Sequence, residues 1–407
     1  MLSNRRGFFA KAAAAGTGWI AARKARAQAP SGVNAPIANP NVEMPDLARL
    51  SHRVVDGVKE FRLIAEVVHS QFAPGREVDA WGYNGSVPGP LIEVNEGDRV
   101  RVIFENRLPE MTALHWHGLE APMEMEGSVG LGQDPVPPGG QYVYEFTLNQ
   151  HGTLFYHSHF AMQEMMGQLG MLVVHPRTPY TPRVDRDFGL LIQEWALMPN
   201  NNVPNSMAME FNWLTFNGKA GPATTPMLVK QGERVRLRMV NLGMDHHPIH
   251  LHGNQFVVTG TEAGRKPQAL WFEENTVLVG AGQARNIEFD AKHIGDWMLH
   301  CHMPHHMMNQ MVSMAGPMTP TGHAKMMSSS NIGLYPMDDP AKKAVPGYPQ
   351  DMWMPMDAMF DKPENFGLRK GWSGAMMGMM TIIRVLPGER YDEIMNRVRA
   401  AEANHAR

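Results

Sequence analysis

The only cysteine of the 407-residue chain, Cys301, stands between His300 and His302 and is followed by His306 and Met311. One thiolate, one imidazole and one thioether at that spacing supply three of the donors of a blue-copper centre, which takes two imidazoles, a thiolate and a weak axial methionine. The missing imidazole has to come from elsewhere, and the upstream run His247-Pro248-Ile249-His250-Leu251-His252-Gly253 offers it in His247. Two further pairs, His115-Trp116-His117 and His157-Ser158-His159, bring the His-x-His motifs to four. With His247 and His306 they take up 10 of the 19 histidines, so more than half of these side chains fall into one pattern.

On a β-strand, residues i and i+2 share a face. Each His-x-His pair therefore presents two imidazoles side by side, and the four pairs present eight. Eight imidazoles suit three copper ions if two ions take three each and the third takes two. The same alternation turns Cys301 to the opposite face from His300 and His302, where His247, His306 and Met311 would close around it. Zinc is the simpler metal, but a tetrahedral structural site does not demand eight paired imidazoles. A copper-storage or electron-carrier protein would account for Cys301 and the methionines, and would leave the eight histidines unexplained.

In order and spacing these motifs resemble those of the multicopper oxidases, over roughly residues 60 to 315. The resemblance implies four copper ions per subunit and assigns their ligands. His247, Cys301, His306 and Met311 would hold the type 1 copper, His115 and His250 the type 2 copper, and His117, His157, His159, His252, His300 and His302 the type 3 pair. The activity implied is one-electron oxidation of a reducing substrate at type 1 copper, coupled to four-electron reduction of O2 to water at the trinuclear cluster. Two substrate classes stay open, phenols and aromatic amines as for laccases, or Cu(I) itself in copper tolerance. Ser158 stands between His157 and His159 where Cys301 stands between His300 and His302, so no type 1 copper is expected there. This separates the chain from the copper nitrite reductases, whose pattern puts a cysteine in the first domain.

Glu126 lies nine residues after His117, where three-domain relatives have an aspartate beside the cluster, and is a candidate proton donor for O2 reduction. The acidic residue that some relatives carry after the second type 1 histidine is replaced by Met307. The 34 methionines include Met303, Met307 and Met308 around that histidine and further groups at 162–166, 352–356 and 376–380. Thioethers select Cu(I), which makes Met303, Met307 and Met308 candidates for binding it as substrate; filling of irregular core gaps is the packing alternative.

The elements that carry these residues form a duplication. Gly97 and Gly232 each open a similar segment and each lie 18 residues before a histidine, His115 and His250; the offset of 135 holds again at His117 and His252. Each copy reads as short alternating strands with Gly/Pro-rich turns, the pattern of an all-β sandwich. The expectation is two tandem cupredoxin-like Greek-key β-sandwich domains, at 58–176 and 186–318. Only 88 residues separate His159 from His247 (247 − 159), which leaves no room for a middle domain. The resemblance is thus to the small two-domain, laccase-like branch, in which a homotrimer sets domain one of each subunit against domain two of the next and so completes an interfacial cluster. Residues 319–407 read as a largely irregular Met- and Pro-rich arm, with a strand predicted at 381–386 and helical composition at 389–403.

At the N-terminus, Arg5-Arg6-Gly7-Phe8-Phe9, an apolar run from Ala12 to Ala22 and Ala27-Gln28-Ala29 look like a twin-arginine export signal over residues 1–29, which predicts a periplasmic or exported protein. The run is too short to span a bilayer. A net charge of -3 gives no footprint for nucleic acid or an anionic membrane.

Overall fold

The computed structural model describes residues 39–198, 201–307 and 355–405. Alternating strands such as Arg99–Asn106, with every second residue buried, stack into two β-sandwiches. In the first, a five-stranded sheet built on Val58–Ala73, Arg99–Asn106 and Gln141–Thr147 faces a four-stranded one. That four-stranded sheet runs in the order Ile92–Asn95, Leu169–His175, Gly152–Ser158, Leu114–His117. Leu63, Phe104, Trp116, Tyr156 and Leu172 fill the space between the layers.

The second sandwich repeats the plan. An eight-stranded sheet that includes Arg186–Trp195, Arg234–Asn241 and Gln283–Asp290 covers a five-stranded one. The order of the latter is Met227–Lys230, Met380–Leu386, Gly295–Cys301, His247–Leu251, Thr276–Val279. The two sandwiches share buried polar contacts: Arg238 donates to Asp187 and, at 2.7 Å, to Thr153 of the first sandwich, whose hydroxyl donates to Asn286. Among the described residues no helix is long and apolar enough to cross a membrane.

The sheet order corrects one expectation. The strand predicted at 381–386 is present as Met380–Leu386, but it belongs to the second sandwich and not to an arm beyond residue 318: it is fully buried between Met227–Lys230, which it joins in parallel, and Gly295–Cys301, which it joins antiparallel. It is followed by a helix, Gly388–His405. In the first copy the equivalent strand, Leu169–His175, pairs in parallel with Ile92–Asn95 and antiparallel with Gly152–Ser158. Ten residues separate the last two strands of the first sheet (168 − 158), and 78 separate their counterparts in the second (379 − 301). The Met-rich stretch is therefore an insertion inside the second sandwich, which closes only at Leu386.

Ile383 is 1% exposed and belongs to the same core cluster as Cys301. Truncating a buried isoleucine leaves a cavity, so Ile383→Ala is expected to cost roughly 2–5 kcal/mol. Denaturant unfolding measures it, and a cost under about 1 kcal/mol would contradict a core position.

Candidate metal centres

Burial along the His247 strand alternates strictly: His247, Ile249 and Leu251 face the core, and Pro248 and His250 face outward. The Cys301 strand is paired with it so that Ile249 opposes Cys301 and His250 opposes His300. Cys301 and Leu299 therefore point into the sandwich while His300 and His302 stand on its outer face. One sheet thus presents two different sets of ligands on its two sides.

On the inner side, Cys301 Sγ lies 3.6 Å from His247 Nδ1 and 3.5 Å from His306 Nδ1, and the two imidazole nitrogens are 3.1 Å apart. All three residues are buried, and their donor atoms fall within 4.8 Å of one another. Burial pushes the Cys301 thiol up to about 12, with Glu194 and Asp245 adding to the rise. Burial pushes His306 down to about 3, with His247 and His305 adding to the fall. The imidazole is thus neutral with its lone pair available, and a metal would have to displace the thiol proton. One soft sulfur and two imidazoles in a buried pocket fit copper. Met311 and Met308 lie outside the described residues.

The closing strand straps this loop at both ends. Cys301 N–H donates to the Met379 carbonyl at 3.1 Å, and Met379 N–H donates to the His306 carbonyl at 2.9 Å. Ser158 holds the Cys301 position in the first copy, where its hydroxyl bonds Gln163 at 2.8 Å and sits 3.3 Å from Thr112. A polar network occupies the place of a metal there.

The eight paired histidines form two groups of four. In the first, the rings of His117, His157 and His159 lie 5.2 to 5.7 Å from His115. In the second, the rings of His252, His300 and His302 lie 4.9 to 5.6 Å from His250. Their local supports repeat as well. His157 Nδ1 donates to the Ser158 carbonyl and His300 Nδ1 to the Cys301 carbonyl, both at 2.9 Å. His115 Nδ1 is held by the Glu126 carbonyl at 2.8 Å, and His250 Nδ1 by the Asn275 carbonyl at 2.7 Å. A metal-ligating histidine typically gives its second ring N–H to such a partner, which makes Nε2 the atom that would ligate in all four residues.

Facing nitrogens close each group: His117 Nδ1 is 3.3 Å from His157 Nε2, and His252 Nε2 is 3.0 Å from His300 Nε2. Burial, reinforced by His157 and His115, pushes His117 down to about 4, and burial lowers His252 and His300 as well, so these three rings present lone pairs to a metal; at His157 burial is outweighed by Glu164 and the Ser158 carbonyl, which hold it above its usual range. Among the described residues, no metal-sized group joins a histidine of the first set to one of the second. His159 and His302 are both exposed, so each group is open at its rim.

Glu126 is brought to the first group by a single helical turn, Met123–Glu126, ended by Gly127 at φ 105°. A Cβ at Gly127 would overlap the Leu114 carbonyl. Glu126 Oε2 lies 2.9 Å from His115 Nδ1. Although desolvation raises the Glu126 carboxyl, the Ser128 hydrogen bond and the charges of His115 and His159 hold it below its usual range.

Three carboxylates beside these ligands went unread in the sequence. Glu194 Oε2 is 3.0 Å from His247 Nε2, Asp245 Oδ2 is 3.5 Å from His306 Nε2, and Glu164 Oε2 is 3.2 Å from His157 Nδ1. Glu194 left a signal, as the only charged residue in the apolar run Phe188 to Leu197.

Two multicopper oxidase domain families match residues 65–179 and 195–315. The crystal structure of a blue copper oxidase from Nitrosomonas europaea is 30% identical, with a TM-score of 0.57, over 62% of this chain and 81% of that one. A copper resistance protein A homolog of Pseudomonas syringae pv. tomato is 42% identical over 122 residues, 30% of this chain and 21% of that protein. Laccase-2 of Botryotinia fuckeliana is 28% identical over 258 residues, 56% of this chain and 43% of that protein. The chain thus spans less than half the length of these curated relatives. With matching domains over both sandwiches, a solved relative covered over four fifths of its length, and buried thiol–imidazole and paired-imidazole groups on two faces of one sheet, the chain belongs to the multicopper oxidase family.

Proposed function

We propose that the protein couples one-electron oxidation of a reducing substrate to four-electron reduction of O2 to water. The observation that carries this reading is the convergence of His247, Cys301 and His306 on the inner side of a sheet whose outer side holds four imidazoles. Bound copper would supply the one-electron and O2 chemistry that side chains lack. On this reading His247, Cys301 and His306, with Met311, hold type 1 copper; His115 and His250 hold type 2; and His117, His157, His159, His252, His300 and His302 hold the type 3 pair. Cys301, placed covalently between His300 and His302, links the electron-accepting side to the oxygen-reducing side.

Each chain then carries two half-sites rather than one cluster. Their exposed rims, at His159 and His302, support completion between chains. His117 also lies near Gly282, beyond the His247-paired end of Thr276–Val279, and so away from the His250-paired end of that strand. A head-to-tail ring of three subunits would set the first half-site of each chain against the second of its neighbour. Residues 1–29, outside the described residues, are proposed as the export signal.

For the reducing substrate the methionines favour Cu(I). Met244, Met298, Met303 and Met307 are only part-buried beside the Cys301 centre and its closing strand, whereas Met376 and Met380 are buried and pack as core. A phenol is the second reading, favoured by Asp245, a 40%-exposed acceptor beside His306. Changing Met303, Met307 and Met308 together to leucine keeps bulk and apolarity. Oxygen uptake with Cu(I) is expected to fall sharply while uptake with a phenol holds; equal effects would assign these thioethers to packing, and no uptake with either donor would refute the oxidase.

Glu126 is read here as holding His115 as well as standing near bound oxygen. Partners of metal ligands typically matter 10- to 100-fold, so Glu126→Gln is expected to weaken copper retention by roughly that factor. Reoxidation by O2 should slow, with anaerobic type 1 reduction unchanged. Dialysis against chelator and stopped-flow mixing measure the two, and unchanged values in both would return Glu126 to a solvated loop.

A further inference from the structure

Glu194 is fully buried on the strand Arg186–Trp195. Its Oε1 accepts the Asp245 N–H at 2.7 Å and the Met244 N–H, and its Oε2 lies 3.0 Å from His247 Nε2. None of these three partners is a lysine or arginine. With two backbone N–H groups on Oε1, an ionised Glu194 only accepts, which places the His247 ring proton on Nε2 and turns the Nδ1 lone pair toward Cys301 Sγ, 3.6 Å away. The backbone makes room for this contact. A Cβ at Gly243 would collide with the Glu194 carboxylate, so the position beside it has no side chain. The two type 1 imidazoles are thereby unequal. His247 is backed by a fully buried carboxylate in hydrogen-bond contact, and His306 by the part-exposed Asp245 at 3.5 Å.

We propose that Glu194 is a positioning residue that fixes the tautomer of His247 and, by its buried negative charge, favours the oxidised over the reduced form of the type 1 centre. The proposal rests on the type 1 assignment made above. An acceptor on the far nitrogen makes an imidazole a stronger donor, and stronger donation favours the higher charge on the metal. In a water-poor site a fixed anion also opposes the arrival of an electron more strongly than it would in solvent. The electron added is the one given up by the reducing substrate, and no other reactant is involved. The consequence is selective: the centre would be tuned toward donors that give up an electron easily.

The test is an anaerobic redox titration of the blue band of the copper-loaded protein and two variants. Glu194→Gln keeps the size of the side chain and removes its charge. At a fixed poise its ratio of reduced to oxidised centre is expected to rise at least about tenfold, which is about 59 mV for a one-electron couple. Glu194→Asp keeps the charge on a shorter stem and should stay nearer the wild-type potential. A purely structural role predicts the reverse order, with the isosteric Gln closer to wild type, and that result, or unchanged potentials in both variants, would overturn the proposal. Should the variants fail to take up copper, pulsed EPR on the unmodified holoprotein decides. One of the two type 1 imidazoles should show a remote nitrogen strongly perturbed by hydrogen bonding, and two equivalent remote nitrogens would overturn the proposal. A wild-type protein with full copper and no blue band would refute the type 1 assignment itself, an outcome separable from failure of the Glu194 role.

Discussion

Replacing Cys301 with serine is expected to abolish the intense blue absorption and bring substrate oxidation to background, while copper held by the paired imidazoles is retained. The thiol is 0% exposed, and its sulfur lies 3.6 Å from His247 Nδ1 and 3.5 Å from His306 Nδ1. A serine hydroxyl is not the soft ligand that the centre needs. The first sandwich already contains the experiment: Ser158 at the matching position joins Gln163 and Thr112 in a polar network. The exchange leaves His300 and His302 in place, because Cys301 is tied to Met379 through its backbone N–H and not through its side chain. Absorption, copper per chain and oxygen uptake measure the three consequences. A blue band that survives would place the thiolate centre elsewhere.

Alanine at His115 or at His250 is expected to have the complementary effect, removing type 2 copper and O2 reduction and keeping the blue colour. His250 stands on the outer face of the sheet, opposite His300, while His247 and Cys301 lie on the inner face. Its loss should therefore disturb the outer group and leave the thiolate centre able to accept an electron and unable to pass it on to oxygen. His115, opposite His157 in the other sandwich, should behave alike. EPR separates the two copper signals. Colour lost before O2 reduction would mean that the two faces are assigned the wrong way round.

Much of this was legible because the chemistry is written in a period of two. His-x-His on a strand must put both imidazoles on one side, so the separation of Cys301 from His300 and His302 followed from spacing alone, and the offset of 135 announced the repeated sandwich. The closing strand was read as part of an arm because 78 residues divide it from its neighbour in the sheet, and adjacency along a chain is the usual guide to adjacency in a sheet. A signal existed: Met376-Met377-Gly378 and Pro387 repeat Met165-Met166-Gly167 and Pro176 at a constant offset of 211 (376 − 165, 387 − 176). The pairing of Glu194, Asp245 and Glu164 with particular histidines was illegible for a different reason. Glu194 lies 53 residues from His247, and no local periodicity reports which carboxylate a tertiary fold will bring to an imidazole.

The claim on which the rest depends is that each chain holds two half-sites that are completed by a neighbour. The most direct measurement is complementation between His115→Ala and His250→Ala chains, each inactive alone, co-assembled in equal amounts. In a head-to-tail ring, the intact first half-site of a His250→Ala chain meets the intact second half-site of a His115→Ala chain at about a quarter of randomly formed interfaces. Oxygen uptake should therefore recover to about a quarter of the wild-type rate. A mixture as inactive as its components, from chains shown to have co-assembled, would contradict the account.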